Sequence, residues 1–360
     1  LLTANITLEG DHSKGPAWPN VRPSVIIARG GARVGLIGVT TPTTPRVTMA
    51  RLVKGLRFGG LAQAVQREAA ALRKEGVHAV VVLAHAEGKC PGRDPQSCRG
   101  EAFGELLDRL PAGLVDAVIM GHSPECIWQR YKGTLVTEAC SRGVAVGQLR
   151  LVLDLEAGKV ISSASRALPP APACHDIFSD TGSCDASQTS PDSRVIVNPL
   201  LSRHRALVEQ AAAFIPGYRE DLKHTEQRVL GKLARPLLHS LAGSSGPGLL
   251  TARAMLLAVP GADLAILNPR AVRADLPAGD VTYGRLFSAL PFENRLATAK
   301  LTGAELKALL NAGMSYRGDI FQVAGVRLTA RCGPPPSVLG LQDRRGRPLD
   351  PKKFYRVVLS

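Results

Sequence analysis

Hydrophobic and polar positions in the first 160 residues switch between the strand period and the helix period. β-Branched runs on both sides of Gly30-Gly31 predict a hairpin over residues 21–41. Residues 60–75 have apolar positions at helical spacing, with charges on the other face. Continuous apolar runs at 78–85 and 115–122 are typical of strands buried on both faces. We therefore predict an α/β region in which helices cover at least one sheet.

The pattern changes twice further along the chain. Residues 165–198 are rich in Pro, Ser and Asp and lack periodicity, which predicts a linker. A connecting helix is predicted at 199–226, and a second α/β domain occupies 227–360. In that domain Thr302, followed by Glu305 three residues later, predicts a capping box at a helix start. A further helix is predicted at 100–110 in the first region.

Composition narrows the possible partners. The chain has 360 residues, 45% of them hydrophobic, and a net charge of +15, which favours anionic ligands. The one short basic stretch, at 343–347, has no aromatic residue beside it, so we interpret it as a solvated loop and predict no nucleic-acid partner. No segment is long and apolar enough to predict a transmembrane helix. The sequence makes no prediction about oligomeric state.

Six of the seven cysteines fall into three pairs that are close in sequence. Cys332 is left over, and the pairs are Cys90 with Cys98, Cys126 with Cys140, and Cys174 with Cys184. Short-loop disulfides of an oxidising compartment fit this spacing, with free buried thiols as the alternative. The chain starts without Met and ends within an apolar run. We therefore expect a piece cut at both ends of an exported protein, periplasmic or extracellular, whose signal peptide lies upstream.

Two histidines follow the buried strands. His85 ends "VVVLAH" and His122 ends "AVIMGH". Ligands of α/β sheets bind at the carboxyl ends of strands, so both imidazoles could bind one metal ion. The alternative is that each histidine is a polar cap on its strand.

Several motifs together resemble the bacterial 5′-nucleotidase and UDP-sugar hydrolase family. They are "LLTANI" at 1–6, "GARVGLIGVTTPTTP" at 31–45, "VVVLAHAEG" at 80–88, "DAVIMGHSPE" at 116–125 and the stretch from "NPRAVR" to "LTGAELKALL" at 268–310. The resemblance implies that 1–164 is the C-terminal part of a calcineurin-like metallophosphoesterase domain, a partial β-sandwich flanked by helices. It also implies that 227–360 is a nucleotide-binding 5′-nucleotidase C-terminal domain, incomplete at its end.

For the first domain the resemblance implies a site with two divalent metal ions, such as zinc or manganese. His85 and His122 match ligands of one metal. Pro124 stands where relatives place a second ligand. The family's catalytic and remaining metal-binding motifs are expected upstream of Leu1. The resemblance thus assigns no catalytic residue to this chain, and we expect the chain to be inactive by itself.

For the second domain the resemblance implies three substrate contacts. Asn268 and Arg273 match positions that contact the nucleotide, and Phe292 matches an aromatic residue that stacks on the base. The alternatives are a turn cap for Asn268, a surface role for Arg273 and a core role for Phe292.

We therefore predict hydrolysis of nucleotide phosphate esters, or of nucleotide-sugar pyrophosphate bonds, by the complete protein. Two alternatives stay open at this point. The first is a non-catalytic nucleotide-binding member of the family. The second is a relative that acts on thiosulfate esters.

Overall fold

A computed structural model gives two compact units, Leu1–Val208 and Glu209–Ser360. It describes residues 1–11, 15–91, 94–141, 143–182, 184, 190, 192–199, 205–292, 294–317, 319–331 and 337–360. Among the helices described, none is long and apolar enough to cross a bilayer.

The first unit is built mainly of strands. These are β1 (Ile6–Leu8), β2 (Ser24–Arg29), β3 (Ala32–Thr40), β4 (Leu56–Phe58), β5 (Ala79–His85), β6 (Ala117–Gly121), β7 (Cys126–Tyr131), β8 (Thr134–Ala139), β9 (Ala145–Arg150), β10 (Leu153–Asp154), β11 (Lys159–Val160), β12 (Arg166–Pro172), β13 (Asp176–Phe178) and β14 (Val195–Val197). Its α-helices are α1 (Thr44–Val47), α2 (Ala50–Val53) and α3 (Leu61–Lys74), and α4 (Arg205–Glu226) leads into the second unit.

The main sheet of this unit has six strands in the order β2-β3-β5-β6-β8-β7. The four central strands are parallel, and β2 and β7 pair antiparallel at the two edges. Gly30 and Gly31 make the predicted hairpin between β2 and β3, with φ values of 56° and 80° that suit glycine. The carboxyl ends of β5 and β6 therefore lie side by side.

Both faces of this sheet are covered, which confirms the α/β prediction. Val80, Val82 and Val118 pack on one face against α3 and against Phe103 of the 102–107 segment. On the other face Val81, Ala117 and Leu135 pack against Leu149, Leu151 and Ala167, from β9, β12 and the residue after β9. The arrangement is a sheet with helices on one side and a smaller strand pair on the other.

Two predictions about local structure differ from the structure. The predicted helix at 100–110 is not α-helical: it is a π-helical turn at Ala102–Leu106 followed by a 3-10 turn at Leu107–Arg109. The segment 165–198, predicted as a linker, contains β12, β13 and β14, and β12 pairs with β9. The prolines suggested a linker because they cannot donate to a ladder. They are accommodated because the register of β12 shifts between Leu168 and Ala171.

Three disulfides join Cys90 to Cys98, Cys126 to Cys140 and Cys174 to Cys184. These are the short-loop disulfides that the cysteine spacing favoured over free buried thiols. Cys332 lies outside the described residues.

The second unit combines strands and helices along the chain. Its strands are β15 (Val229–Leu233), β16 (Leu264–Leu267), β17 (Gly279–Thr282), β18 (Ala297–Thr302), β19 (Gln322–Ala324), β20 (Arg327–Arg331), β21 (Ser337–Gln342) and β22 (Phe354–Leu359). Its further helices are α5 (Gly246–Ala258), α6 (Tyr283–Ala289) and α7 (Gly303–Arg317).

The central sheet of this unit has the order β18-β22-β16-β19. Strand β16 is parallel to β22 and antiparallel to β19, and it is buried along its whole length. Leu264 and Ile266 face α7 and the β20–β21 hairpin, whereas Ala265 and Leu267 face α5. As predicted, Thr302 caps α7: its Oγ1 accepts from the Glu305 N–H at 3.2 Å, and its own N–H donates to the Glu305 carboxylate at 2.7 Å.

Candidate metal and nucleotide sites

The two histidines of the first unit lie together. His85 is the last residue of β5 and pairs in register with Gly121, the last residue of β6, so that His122 follows directly beside it. The imidazole centroids are 4.7 Å apart with the rings tilted by 55°. The sheet thus brings both predicted ligand residues to one edge, as the strand ends suggested.

His122 has an unusual backbone. Its φ is 93°, a region that side chains other than glycine rarely adopt. The chain turns sharply at this residue directly after β6. Backbone geometry of this kind costs free energy and persists only where neighbouring contacts hold it.

The ring of His85 is partly exposed, but the surrounding protein displaces some of its water. This loss of water lowers the pKa of His85, and the nearby ring of His122 lowers it further, while the negative charge of Glu101 opposes both. A lowered pKa keeps the imidazole neutral, which is the form that binds metals. The Oε2 atom of Glu101 is buried and has no hydrogen-bond partner among the described residues.

The donor set tests how well this edge fits a metal ion. Two imidazoles on neighbouring strand ends supply two of the four or more ligands that zinc or manganese requires. Among the described residues, no group of three or more His, Cys, Asp and Glu side chains is arranged to hold an ion. Pro124, two residues after His122, has no donor atom in its side chain. The histidines fit part of a metal site, and the other ligands are not among the residues described.

Asn5, which sequence reasoning missed as a site residue, stabilises the carboxyl end of β3, beside His85. It is 3% exposed, and its amide donates to the carbonyls of Thr40 and Gly59 at 2.7 and 2.9 Å while accepting from the Thr40 N–H at 2.9 Å. Thr40 pairs in register with His85. Only the fold shows this role, because the partners are 35 and 54 residues away in sequence.

Glu138 of β8 is a second residue that the sequence did not reveal. It is 1% exposed and contacts Ser123, the residue after His122. Burial raises the pKa of Glu138 to about 7, although hydrogen bonds from Ser123 and from the Glu125 backbone partly offset that rise. The carboxyl group that contacts the residue after His122 therefore keeps its proton to a higher pH than an ordinary glutamate does.

In the second unit Asn268 directly follows the carboxyl end of β16. Its side-chain oxygen accepts from the Arg270 N–H at 2.9 Å and so caps a short 3-10 turn at Pro269–Ala271. The turn-cap role considered for Asn268 is therefore present. Its place at a strand end also suits a ligand contact.

Arg273 and Phe292 form a pair in the same unit. The Arg273 guanidinium carbon lies 5.2 Å from the centroid of the Phe292 ring, within the range of a cation–π interaction. Phe292 is 46% exposed, so it is not a core residue. The backbone N–H of Arg273 is held by the Ala289 carbonyl at 2.8 Å. The pair presents a cation and an aromatic face, which are groups that nucleotide sites use.

Arg270 secures the turn between Asn268 and Arg273. Its guanidinium binds both carboxylate oxygens of Asp319, at 2.5 and 3.2 Å. The side chain of Asp319 is 14% exposed and that of Arg270 is 42% exposed. This bidentate pair ties the turn to the segment that follows α7.

Comparison with known proteins finds a family match within the second unit. Residues 229–360 match the family described as 5′-nucleotidase, C-terminal domain.

Similarity extends beyond this domain. The chain is 24% identical to the protein UshA of Yersinia enterocolitica, over 99% of the chain and 65% of that protein. It is 22% identical to the cell wall protein Lmo0130 of Listeria monocytogenes, over 100% of the chain and 46% of that protein. The chain thus spans about half to two thirds of the length of these relatives.

A solved structure shares the fold. The 5′-nucleotidase precursor of Thermus thermophilus superposes with a TM-score of 0.65 at 23% identity, over 99% of this chain and 68% of that one. The described residues therefore share the fold of that solved structure, in agreement with the family that the sequence motifs indicated.

Proposed function

We propose that this chain is part of an exported, metal-dependent phosphoesterase that hydrolyses phosphate esters of nucleotides, of the 5′-nucleotidase or UDP-sugar hydrolase type. The observation that carries the proposal is the pair of imidazoles 4.7 Å apart at the ends of β5 and β6. The family of residues 229–360 supports a nucleotide as the substrate.

In this proposal His85 and His122 bind one of two divalent metal ions through ring nitrogens. Bound ions of this kind activate water and neutralise charge on phosphoryl oxygens. The lowered pKa of His85 keeps its ring available as a ligand near neutral pH. The remaining ligands and the catalytic residues would come from a part of the protein outside this chain.

The second unit would hold the nucleotide. Phe292 offers an exposed ring for stacking on a base, and Arg273 offers a fixed positive charge for ribose or phosphate oxygens. Asn268 would contribute its amide group. A nucleotide would then insert against, or replace, the present contact between Arg273 and Phe292.

Export is supported by the three disulfides, which persist in oxidising compartments, and by the similarity to a cell wall protein. A second candidate function is nucleotide binding without catalysis. Pro124 favours it, because it leaves one customary ligand position without a donor atom.

The proposal is tested in the complete protein by replacing His85 with Ala. We expect the tightly bound metal and the turnover of AMP or a UDP-sugar both to fall, because one imidazole ligand is lost. His78→Ala is the matched control: His78 precedes the other end of β5, where its Nδ1 accepts from the Arg33 N–H at 2.9 Å. Unchanged metal content and turnover in His85→Ala would refute the metal role. Nucleotide binding with no turnover in the wild type would favour the second candidate.

A further inference from the structure

A buried hydrogen-bond network joins residues 86–88, the His85 loop that follows His85, to residues 122–125, the His122 loop that begins with His122. The Ser123 Oγ lies 2.8 Å from the Gly88 carbonyl oxygen, and the Gly88 N–H donates to the Ser123 Oγ at 3.0 Å. The same Ser123 Oγ lies 3.1 and 3.0 Å from the two carboxylate oxygens of Glu138. Ser123 is 7% exposed and Glu138 is 1% exposed, so water does not compete for these bonds.

The residues in this network lie close in sequence to the two histidines. Gly88 is three residues after His85, and Ser123 is the residue directly after His122. The backbone N–H of Glu125 also donates to the Glu138 carboxyl group. Glu138 therefore contacts the His122 loop at two points, and Ser123 links that loop to the His85 loop.

Close packing fixes the position of Gly88. A Cβ atom on Gly88 would lie 2.1 Å from the Cε of Met120 and 3.0 Å from the Phe103 ring, both of which belong to the core. The His85 loop thus packs closely against the core at Gly88, and Ser123 forms hydrogen bonds with the backbone of Gly88. These contacts also account for the persistence of the positive φ at His122, which is the neighbour of Ser123 in the chain.

The donors and acceptors around Ser123 can be matched one by one. The Ser123 hydroxyl has one proton and two acceptor positions. If that proton goes to the Gly88 carbonyl, Ser123 can still accept from the Gly88 N–H and from a protonated Glu138. All of these groups are then satisfied. A glutamine at 138 would satisfy the same pattern, with its amide as the donor to Ser123 and its oxygen as the acceptor from Glu125.

We propose that Glu138 and Ser123 are positioning residues that hold loop 122–125 against loop 86–88 and thereby set the spacing of the His85 and His122 imidazoles. The importance of this spacing for metal binding rests on the proposed function. The spacing itself is a property of the metal-free chain and can be measured there.

The experiment compares Glu138→Gln, Glu138→Leu and Ser123→Ala. The first readout is the nuclear Overhauser effect between the ring protons of His85 and His122 in the metal-free chain, labelled on histidine. We expect Glu138→Gln to keep this effect and the other two variants to lose it. Ser123→Ala removes only a hydroxyl oxygen, so it remains informative if Glu138→Leu fails to fold.

Thr134→Val is the matched control, because Thr134 is a buried residue at the opposite end of β8 whose hydroxyl donates to the Val115 carbonyl at 3.4 Å. It should keep the ring-to-ring effect. Retention of the effect in Ser123→Ala, or its loss in both Glu138→Gln and Thr134→Val, would overturn the proposal.

The second readout is zinc or manganese affinity of the complete protein. Ser123→Ala should weaken metal binding about 10- to 100-fold, the usual cost of removing groups that orient metal ligands. Glu138→Gln should keep most of the metal affinity that Glu138→Leu loses. If His85→Ala leaves metal binding unchanged, the proposed function fails while the spacing measurement still stands. If His85→Ala removes the metal and Ser123→Ala changes neither readout, the positioning role fails alone.

Discussion

The two units hold their strand-end loops by different physical means. In the first unit buried groups do so: Asn5, Ser123 and Glu138 are 3%, 7% and 1% exposed, and their partners are mostly backbone groups. In the second unit charged groups do so nearer the surface, where Arg270 pairs with Asp319 and Arg273 lies over the exposed Phe292. All three disulfides found in the described residues belong to the first unit.

This difference matches the ligand that each site would bind. Metal ligands must be fixed to within a fraction of an ångström, and buried hydrogen bonds supply that rigidity. A nucleotide base and phosphate tolerate more adjustment, and exposed charged or aromatic groups can provide it. The first site should therefore respond to redox state and proton binding, and the second to ionic strength.

The largest expected effect comes from the disulfide beside the His122 loop. Cys126–Cys140 closes a loop with a sequence separation of 14. Replacing both cysteines with Ala should lower the free energy of unfolding of the first unit by about 3 kcal/mol, because the unfolded chain regains loop entropy. Urea unfolding measures this change. Removal of Cys174–Cys184 is the control: it should destabilise without altering the His85–His122 spacing, and equal effects of both pairs on that spacing would break the comparison.

The next effect is a pH dependence of the stability of the first unit, caused by Glu138. Its folded-state pKa of about 7 lies above the ordinary value of 4.5, so the unfolded chain releases this proton first as pH rises. Stability is therefore highest below about pH 4.5, falls between 4.5 and 7, and stays low above 7, with a total loss of about 3 kcal/mol from this group. Unfolding of the wild type and of Glu138→Gln at about pH 5 and about pH 8 tests it. Glu138→Gln should lack this fall in stability. The same pH dependence in both proteins would contradict the prediction.

The smallest effect concerns the second unit. Arg270→Lys removes the bidentate geometry with Asp319 but keeps the charge. We expect the free energy of unfolding of the second unit to fall by about 1 kcal/mol at low salt, because a lysine cannot make the paired bonds. The loss is small because Arg270 is partly exposed. The difference should shrink in about 1 M salt, where surface charges are screened. Thermal unfolding at both salt concentrations measures it, and a salt-independent loss would show that packing, not charge, dominates.

The sequence predicted features that depend on short-range patterns. The Gly30-Gly31 hairpin, the capping box at Thr302 and the buried strands within 78–85 and 115–122 follow from residues close together in the chain. The meeting of His85 and His122 followed from one general rule about parallel sheets.

Features that depend on long-range contacts were missed. Glu138 and Arg270 look like ordinary surface charges in sequence, and only the pairing of β6 with β8 and the return of the chain at Asp319 show their partners. The proline-rich β12 was misread for a related reason. The prolines of β12 lack N–H donors, but two of them lie where the register between β12 and β9 shifts, so pairing is kept on either side of these two. A sequence pattern does not reveal such a shift.

Strand β12 has a consequence for solubility. Three of its seven residues are proline and have no N–H to offer. The unpaired N–H and C=O groups of an edge strand can pair with a strand of a neighbouring molecule. An edge with so few donors is a poor template for intermolecular pairing, so we expect the prolines that resemble a linker in the sequence to disfavour edge-to-edge association at this strand.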